Sequence, residues 1–149
     1  MNPRKFLDVA DELSDGDEEA HWRSATSRAY YAAFHVARRL FRDVGFVTPR
    51  GERVHAYLCH RLNNSGHPEV AQSSTWLEDL RDLRNRADYD VDSPFERAVA
   101  LSAVVQALDV IRLLDEVAAN NSVRDRITQS MRDYERDVLK EVTWRGPAK

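Results

Sequence analysis

The sequence predicts an all-α fold, an antiparallel bundle of five core helices followed by a C-terminal amphipathic helix. Apolar residues recur at three- and four-residue intervals along most of the 149 residues. Alternating runs of β-branched residues, which are typical of strands, are absent. The five glycines and five prolines fall near the ends of the periodic stretches, where helices begin and end.

Turn and capping residues define the bounds of the five core helices. Pro3 opens the first helix at a position that proline tolerates, and the acidic residues 17–19 suit the positive end of the second. Gly45 ends the second helix, while Ser93 and Pro94 supply an N-cap and a first position for the fifth. The predicted helices span residues 3–13, 17–44, 51–62, 69–89 and 94–119.

The fifth helix and the segment after it carry long apolar patterns. Seven residues place the fifth helix at the centre of the core or in a subunit interface: Val99, Leu101, Val104, Val105, Leu108, Ile111 and Leu114. Five others predict the C-terminal amphipathic helix: Val123, Ile127, Met131, Tyr134 and Val138. We therefore expect a bundle over 1–120, a helical extension packed on the same domain over 121–143, and a loose tail over 144–149.

Composition and charge restrict the possible functions. Hydrophobic residues make up 42% and charged residues 32%, which excludes a disordered chain, and no apolar run approaches the roughly 20 residues of a membrane span. The single cysteine, Cys59, excludes an intrachain disulfide framework. These features predict a cytoplasmic protein. A net charge of −3 argues against coating nucleic acid by bulk electrostatics, although residues 23–42 hold five arginines and no acid.

Two of the predicted helices have an apolar and a polar face. On the second helix the apolar stripe is Trp22, Ala25, Ala29, Ala33, Val36, Ala37, Leu40 and Val44, and the polar face is Arg28, Tyr31, His35, Arg39 and Arg42. On the fourth the stripe is Trp76, Leu80, Leu83 and Ala87, and the polar face is Arg81, Arg84, Asn85 and Asp88. From spacing alone, each polar face is either an ordinary solvated surface or a site for phosphates and bases.

Two blocks of the sequence resemble those of the HEPN domain family. Residues 27–35 (SRAYYAAFH) resemble its second-helix signature. Residues 83–90 (LRNRADYD) resemble the R-x-x-x-A-D-Y signature of a branch often encoded beside a minimal nucleotidyltransferase. The resemblance covers about residues 3–120 and implies an antiparallel bundle that often forms a homodimer. It also implies a setting in toxin–antitoxin or defence systems.

The resemblance further implies a ribonuclease motif that this sequence lacks in part. Many family members cleave RNA without a metal, using an Arg and a His separated by four to six intervening residues. After Arg84 those positions hold Tyr89, Asp90 and Val91, so the sequence favours a role without catalysis. The sequence also lacks metal-ligand spacings and glycine-rich phosphate loops, so we expect the protein to bind no metal and no cofactor.

Three functions remain open at this point. The first is a partner of a minimal nucleotidyltransferase that offers Tyr89 for modification and binds nucleotide or RNA through Arg28, Tyr31, His35, Arg81, Arg84 and Asn85. The second is a divergent ribonuclease toxin in which Arg84, Asp88 and His35 are catalytic. The third is an oligomeric scaffold without catalysis, in which Arg84 and Asp88 hold a homodimer together.

Overall fold

The computed structural model describes residues 1–147, and helices make up most of them. Six α-helices form in that part of the chain: α1 Arg4–Ser14, α2 Glu19–Val44, α3 Arg53–Asn63, α4 Pro68–Tyr89, α5 Arg97–Ala119 and α6 Asn121–Tyr134. A short π-helix, Glu135–Leu139, continues directly from α6. Among residues 1–147 no β-strand occurs, and β-type pairing is limited to one bridge between Phe46 and Trp144. The predicted all-α helical bundle is confirmed.

The helix ends show why the turn residues lie where they do. Gly45 ends α2 with a φ of 109°, in the left-handed region that glycine adopts without strain. The N–H of Phe46 then donates to the carbonyl of Phe41 at 2.9 Å, which satisfies one of the last carbonyls of the helix. At the start of α6, the side chain of Asn120 accepts a hydrogen bond from the N–H of Val123.

The start of α5 differs from the prediction. The helix begins at Arg97, whereas Ser93 and Pro94 lie in an exposed turn. The carbonyl of Ser93 accepts a hydrogen bond from Arg23 of α2 instead of opening the helix, and Phe95 is buried. A tertiary contact therefore overrides the local Ser-Pro capping pattern.

The described residues form two compact units. The first comprises Met1–Val36 and Trp76–Ile111, and the second comprises Ala37–Thr75 and the chain from Arg112 onward. Helices α2, α4 and α5 are each divided, with one part of the helix in the first unit and the other part in the second. None of the helices within residues 1–147 is both long and apolar enough to cross a membrane.

Small side chains fill much of the core of the first unit. Ala25, Ala29 and Ala33 of α2 are fully buried, as the predicted apolar stripe requires. Ala100 and Ala103 of α5 are fully buried too. Side chains of this size let helix backbones approach closely, so close helix packing accounts for much of this core.

One apolar prediction in the first unit is wrong in part, and another is left with one of its two alternatives. Leu77 of α4 is fully buried, whereas Trp76 and Leu83 are only half-buried, because the buried line on this helix is rotated by part of a turn from the predicted stripe. On α5, Leu101 and Val105 are exposed and lie outside the core of the unit. Their place in a subunit interface stays a prediction.

The C-terminal segment packs within the second unit. The indole nitrogen of Trp144 donates to the carbonyl of Val44 at 2.9 Å, and the N–H of Arg145 donates to the carbonyl of Gly45 at 2.8 Å. These contacts correct the prediction of a loose tail over 144–149, of which 148 and 149 lie outside the described residues. Local sequence gives no sign of them because they join positions about 100 residues apart.

The π-helix changes the apolar pattern at the end of α6. Ile127 and Met131 are buried, as predicted, but Val138 is 65% exposed. The wider turn that begins at Glu135 moves the following side chains out of α-helical phase. The same turn leaves the side chain of Glu135 fully buried.

Candidate functional site

The predicted site residues all belong to the first unit. They lie on the N-terminal part of α2 and the C-terminal part of α4: Arg28, Tyr31, His35, Arg81, Arg84, Asn85, Asp88 and Tyr89. Arg39 and Arg42, from the same predicted face of α2, fall in the second unit, where Arg42 pairs with Asp43 at 3.2 Å. The site is therefore limited to the first half of that cationic face.

Arg84 is the centre of the cluster. Its side chain is only 14% exposed, and its guanidinium carbon lies 5.3 Å from the ring centre of Tyr30 and 5.5 Å from that of Tyr31. Both tyrosines come from α2, so the packing of α4 against α2 brings the two family-like blocks together. Contacts of this kind between a cation and the face of an aromatic ring are attractive, and more so where water is excluded.

The polar partners of Arg84 leave part of its hydrogen-bonding capacity unused. Its Nη1 lies 3.8 Å from Asp88 Oδ2 and 3.5 Å from the Tyr89 hydroxyl, both long for hydrogen bonds. Its Nε is buried and has no hydrogen-bond partner within residues 1–147. That buried atom cannot reach an anion from outside, so any such contact of Arg84 would be made by its terminal nitrogens, Nη1 and Nη2.

Asp88 is held from α2 as well as from its own helix. The hydroxyl of Ser27 lies 3.1 Å from Asp88 Oδ2 and donates a hydrogen bond to it. Ser27 is buried, which places this bond at the junction of α2 and α4. Asp88 thus has a close hydrogen bond from Ser27 of α2 and a longer ionic contact with Arg84 of its own helix.

A second cation–aromatic group lies beside the first. The guanidinium of Arg28 lies 5.2 Å from the ring centre of Tyr31 and 5.4 Å from that of Phe6, which comes from α1. The imidazole of His35 stacks on Phe6 at 5.8 Å and on Tyr31 at 6.2 Å. Tyr31 therefore contacts Arg28, His35 and Arg84 and joins the two groups.

The remaining predicted residues are placed less centrally. Arg81 and Asn85 are half-buried, and neither side chain makes a hydrogen bond or ion pair with any residue that the structure describes. Tyr89 is 74% exposed, with its hydroxyl beside Arg84. Over the described part of the chain, no group of three or more His, Cys, Asp or Glu side chains is arranged to hold a metal ion.

Three contributors to the site had no predicted role. Phe6 lies on α1, and only the pairing of α1 with α2 brings it to Arg28 and His35. Tyr30 and Ser27 are within the second-helix block, but both are buried and so fall on the side of α2 that faces its neighbours. Tyr30 and Ser27 could have been identified from their place in the second-helix block, if that block is assumed to contact α4.

Comparison with known proteins gives one match. A family model described as the HEPN domain matches residues 3–117. Neither a curated protein nor a solved structure matches the chain.

The spacing of the predicted R-x-x-x-A-D-Y signature differs by one residue in this chain. The sequence reads Arg84-Asn85-Arg86-Ala87-Asp88-Tyr89, so two residues separate Arg84 from Ala87 where the signature has three.

Proposed function

This chain belongs to the HEPN domain family, and from that premise we propose that it binds nucleotide or RNA and acts as the partner of a minimal nucleotidyltransferase. The pair would serve a toxin–antitoxin or defence-type system. In this proposal Tyr89 is the residue that the transferase modifies, and Arg84 is the main anion-binding group. One observation carries it: Tyr89 is exposed, and its hydroxyl lies 3.5 Å from the Arg84 guanidinium.

The proximity of Tyr89 and Arg84 suits a nucleotidyl transfer. The phenolic oxygen attacks the α-phosphorus of a nucleoside triphosphate, a new O–P bond forms, and the bond to pyrophosphate breaks. The phenolic proton passes to a base of the transferase. A guanidinium 3.5 Å from the attacking oxygen stabilises the negative charge on the phosphate during transfer. The 74% exposure of Tyr89 gives a second protein access to that oxygen.

The rings beside Arg84 support nucleotide or RNA binding. Bases stack on aromatic rings and on guanidinium planes, and each such stack contributes roughly 1–3 kcal/mol. Tyr31, Arg28 and His35 supply both kinds of group within one cluster. Arg84 adds the charge for a phosphate at the side of that cluster.

The test is a transfer assay with α-labelled ATP and the minimal nucleotidyltransferase that the proposal expects beside the gene of this chain. We expect label on the wild-type protein, none on Tyr89→Phe, and a strong reduction on Arg84→Ala. Tyr134→Phe, in the second unit, is the matched control and should be labelled like the wild type. Label on Tyr89→Phe equal to that on the wild type contradicts the proposal, as does failure of the two proteins to co-purify.

The ribonuclease and scaffold alternatives give other results with the same proteins. A ribonuclease cleaves RNA in the absence of the transferase and loses this activity in Arg84→Ala. A scaffold dimerises through Arg84 and Asp88, so Arg84→Ala becomes a monomer while its RNA binding is no worse than that of the wild type. Sedimentation and RNA-binding measurements on one preparation of each variant separate these cases.

A further inference from the structure

Arg23 is a nearly buried arginine that the proposed site does not use. It lies on the second turn of α2, and its side chain is 12% exposed. Its Nη1 donates to the carbonyls of Arg86 and Ala87, both at 3.0 Å, and its Nη2 donates to the carbonyl of Ser93. All three acceptors are backbone oxygens in or just after the last turn of α4.

The end of α4 has carbonyl groups that such a partner can bind. The last carbonyls of a helix have no intrahelical donors, and they form the negative end of the helix dipole. Helix α2 solves this with Gly45 in the left-handed conformation. After α4 comes Asp90, without a positive φ, and Asp88 adds a second carboxylate at an end that favours cations. The last turn holds one cation of its own, Arg86, whose carbonyl also accepts from the N–H of Asp90. The guanidinium of Arg23 adds a second positive charge at this end and donates to the carbonyls of Arg86 and Ala87.

Arg23 is itself held in one orientation. Its Nε and Nη2 donate to Glu19 Oε1 at 2.9 and 2.8 Å, one turn earlier on α2. Its guanidinium also lies 5.1 Å from the ring centre of the buried Phe95. A carboxylate and a ring therefore fix the plane of the guanidinium, so that its other donors point to the end of α4.

The two attachment points of Arg23 enclose Tyr89. Residues 86 and 87 are bonded on one side of it and residue 93 on the other, while the side chains from Asp88 to Pro94 are exposed. Within this segment, backbone bonds join the N–H of Asp90 to Arg86 and the N–H of Ser93 to Asp90. A single guanidinium thus ties down both ends of the turn that carries Tyr89.

We propose that Arg23 is a positioning residue for Tyr89, holding the end of α4 so that the Tyr89 hydroxyl stays beside Arg84. This inference rests on the proposed function, because it concerns the efficiency of the same transfer. Lysine is a poor replacement for arginine here, because the four acceptors are bonded by three separate guanidinium nitrogens, whereas an ammonium group has three donors on a single nitrogen. Misplacing a reacting group by about 1 Å costs on the order of a hundredfold in rate.

The test compares Arg23→Lys with Arg97→Lys, the matched control. Arg97 lies in the same unit and bonds another helix end, with Nε 2.8 Å from the carbonyl of Ser14 and Nη2 3.0 Å from Asp15. For each variant, hydrogen exchange is measured over residues 87–94. The kcat of the transferase, and its KM for the variant protein as acceptor, are then measured at a fixed, saturating ATP concentration. Glu19→Gln serves as a milder second variant that leaves Arg23 in place.

We expect Arg23→Lys to speed exchange over residues 87–94 and to lower kcat about ten- to a hundredfold, with little change in KM. Glu19→Gln should show the same effects more weakly, and Arg97→Lys should match the wild type in both. Transfer to Arg23→Lys at the wild-type rate overturns the inference while leaving the proposed function intact. A wild-type protein that is not modified at Tyr89 overturns the proposed function, and the inference fails with it.

Discussion

Glu135 is a fully buried carboxylate at the start of the π-helix, and replacing it with glutamine should strongly destabilise the protein. Its Oε2 accepts hydrogen bonds from Nε and Nη2 of Arg61, both at 2.9 Å, and Arg61 is 3% exposed. Its Oε1 accepts from the N–H groups of Thr143 at 2.9 Å and Trp144 at 3.3 Å. One side chain therefore joins α3, the π-helix and the C-terminal segment.

The size of the effect follows from what the substitution leaves behind. Glu135→Gln removes the only negative charge bonded to the Arg61 guanidinium within the described residues, and it puts an NH2 group where an acceptor is needed. An uncompensated buried charge costs about 3–5 kcal/mol. In a domain of this size each kcal/mol lowers Tm by about 2–4 °C, so the loss should be on the order of 6–20 °C.

Thermal and urea unfolding of Glu135→Gln measure this loss, with Asp137→Asn as the control. Asp137 lies in the same π-helix, but it pairs with Arg136 in solvent, so its replacement should leave the unfolding transition unchanged. Hydrogen exchange over residues 141–147 shows whether the C-terminal segment detaches before global unfolding. A Tm within about 2 °C of the wild type, with unchanged exchange in that segment, refutes the reasoning.

Two further predictions concern the second unit. Burial raises the pKa of Tyr57 above its ordinary value of 10.0, so the folded state keeps a proton that the unfolded state loses. The stability that the protonated Tyr57 contributes is fully present below about pH 10 and is lost as pH rises through the folded-state pKa. The unfolding free energy, measured from about pH 9 to 12, should therefore fall more steeply in the wild type than in Tyr57→Phe. Gly45→Ala should cost more than about 1 kcal/mol in urea unfolding, since a Cβ there lies 2.4 Å from the backbone of Gly146 at a φ of 109°. Gly51→Ala, with a positive φ but no atom within 4 Å, should cost less, and equal losses would contradict the steric argument.

Features of the fold that depend on local sequence could be predicted. The glycine end of α2, the all-α class and the apolar stripe of α2 follow from periodicity and turn chemistry alone, and the structure has them, except that Trp22 of the stripe is only half-buried. The start of α5 could not be predicted, because Ser93 bonds to Arg23, 70 residues away along the chain. The same holds for Trp144, whose acceptor on Val44 is 100 residues distant, and for the π-helix that leaves Val138 exposed.

For the candidate site, spacing identified the residues but not their mutual arrangement. Periodicity places Arg28, Tyr31 and His35 on one face of α2, and Arg84 with Asp88 on one face of α4. It does not say that Arg84 packs against the tyrosines of α2, or that Phe6 joins Arg28 and His35. Those facts depend on how the helices pair, which the period of a single helix does not determine.

Tyr89 occupies a position where the Arg–His ribonuclease motif has its histidine. It is the fifth residue after Arg84, within the range where the resemblance to ribonuclease members implies a histidine. An imidazole exchanges protons near neutral pH, whereas a phenol holds its proton there and is a poor general acid–base group. A phenolic oxygen can nevertheless accept a transferred group, and the charge stabilisation that a guanidinium provides serves RNA cleavage and nucleotidyl transfer alike. In the proposed function Arg84 therefore keeps the anion-binding role, and Tyr89 is the acceptor at a position where the resemblance implies a proton-transfer group.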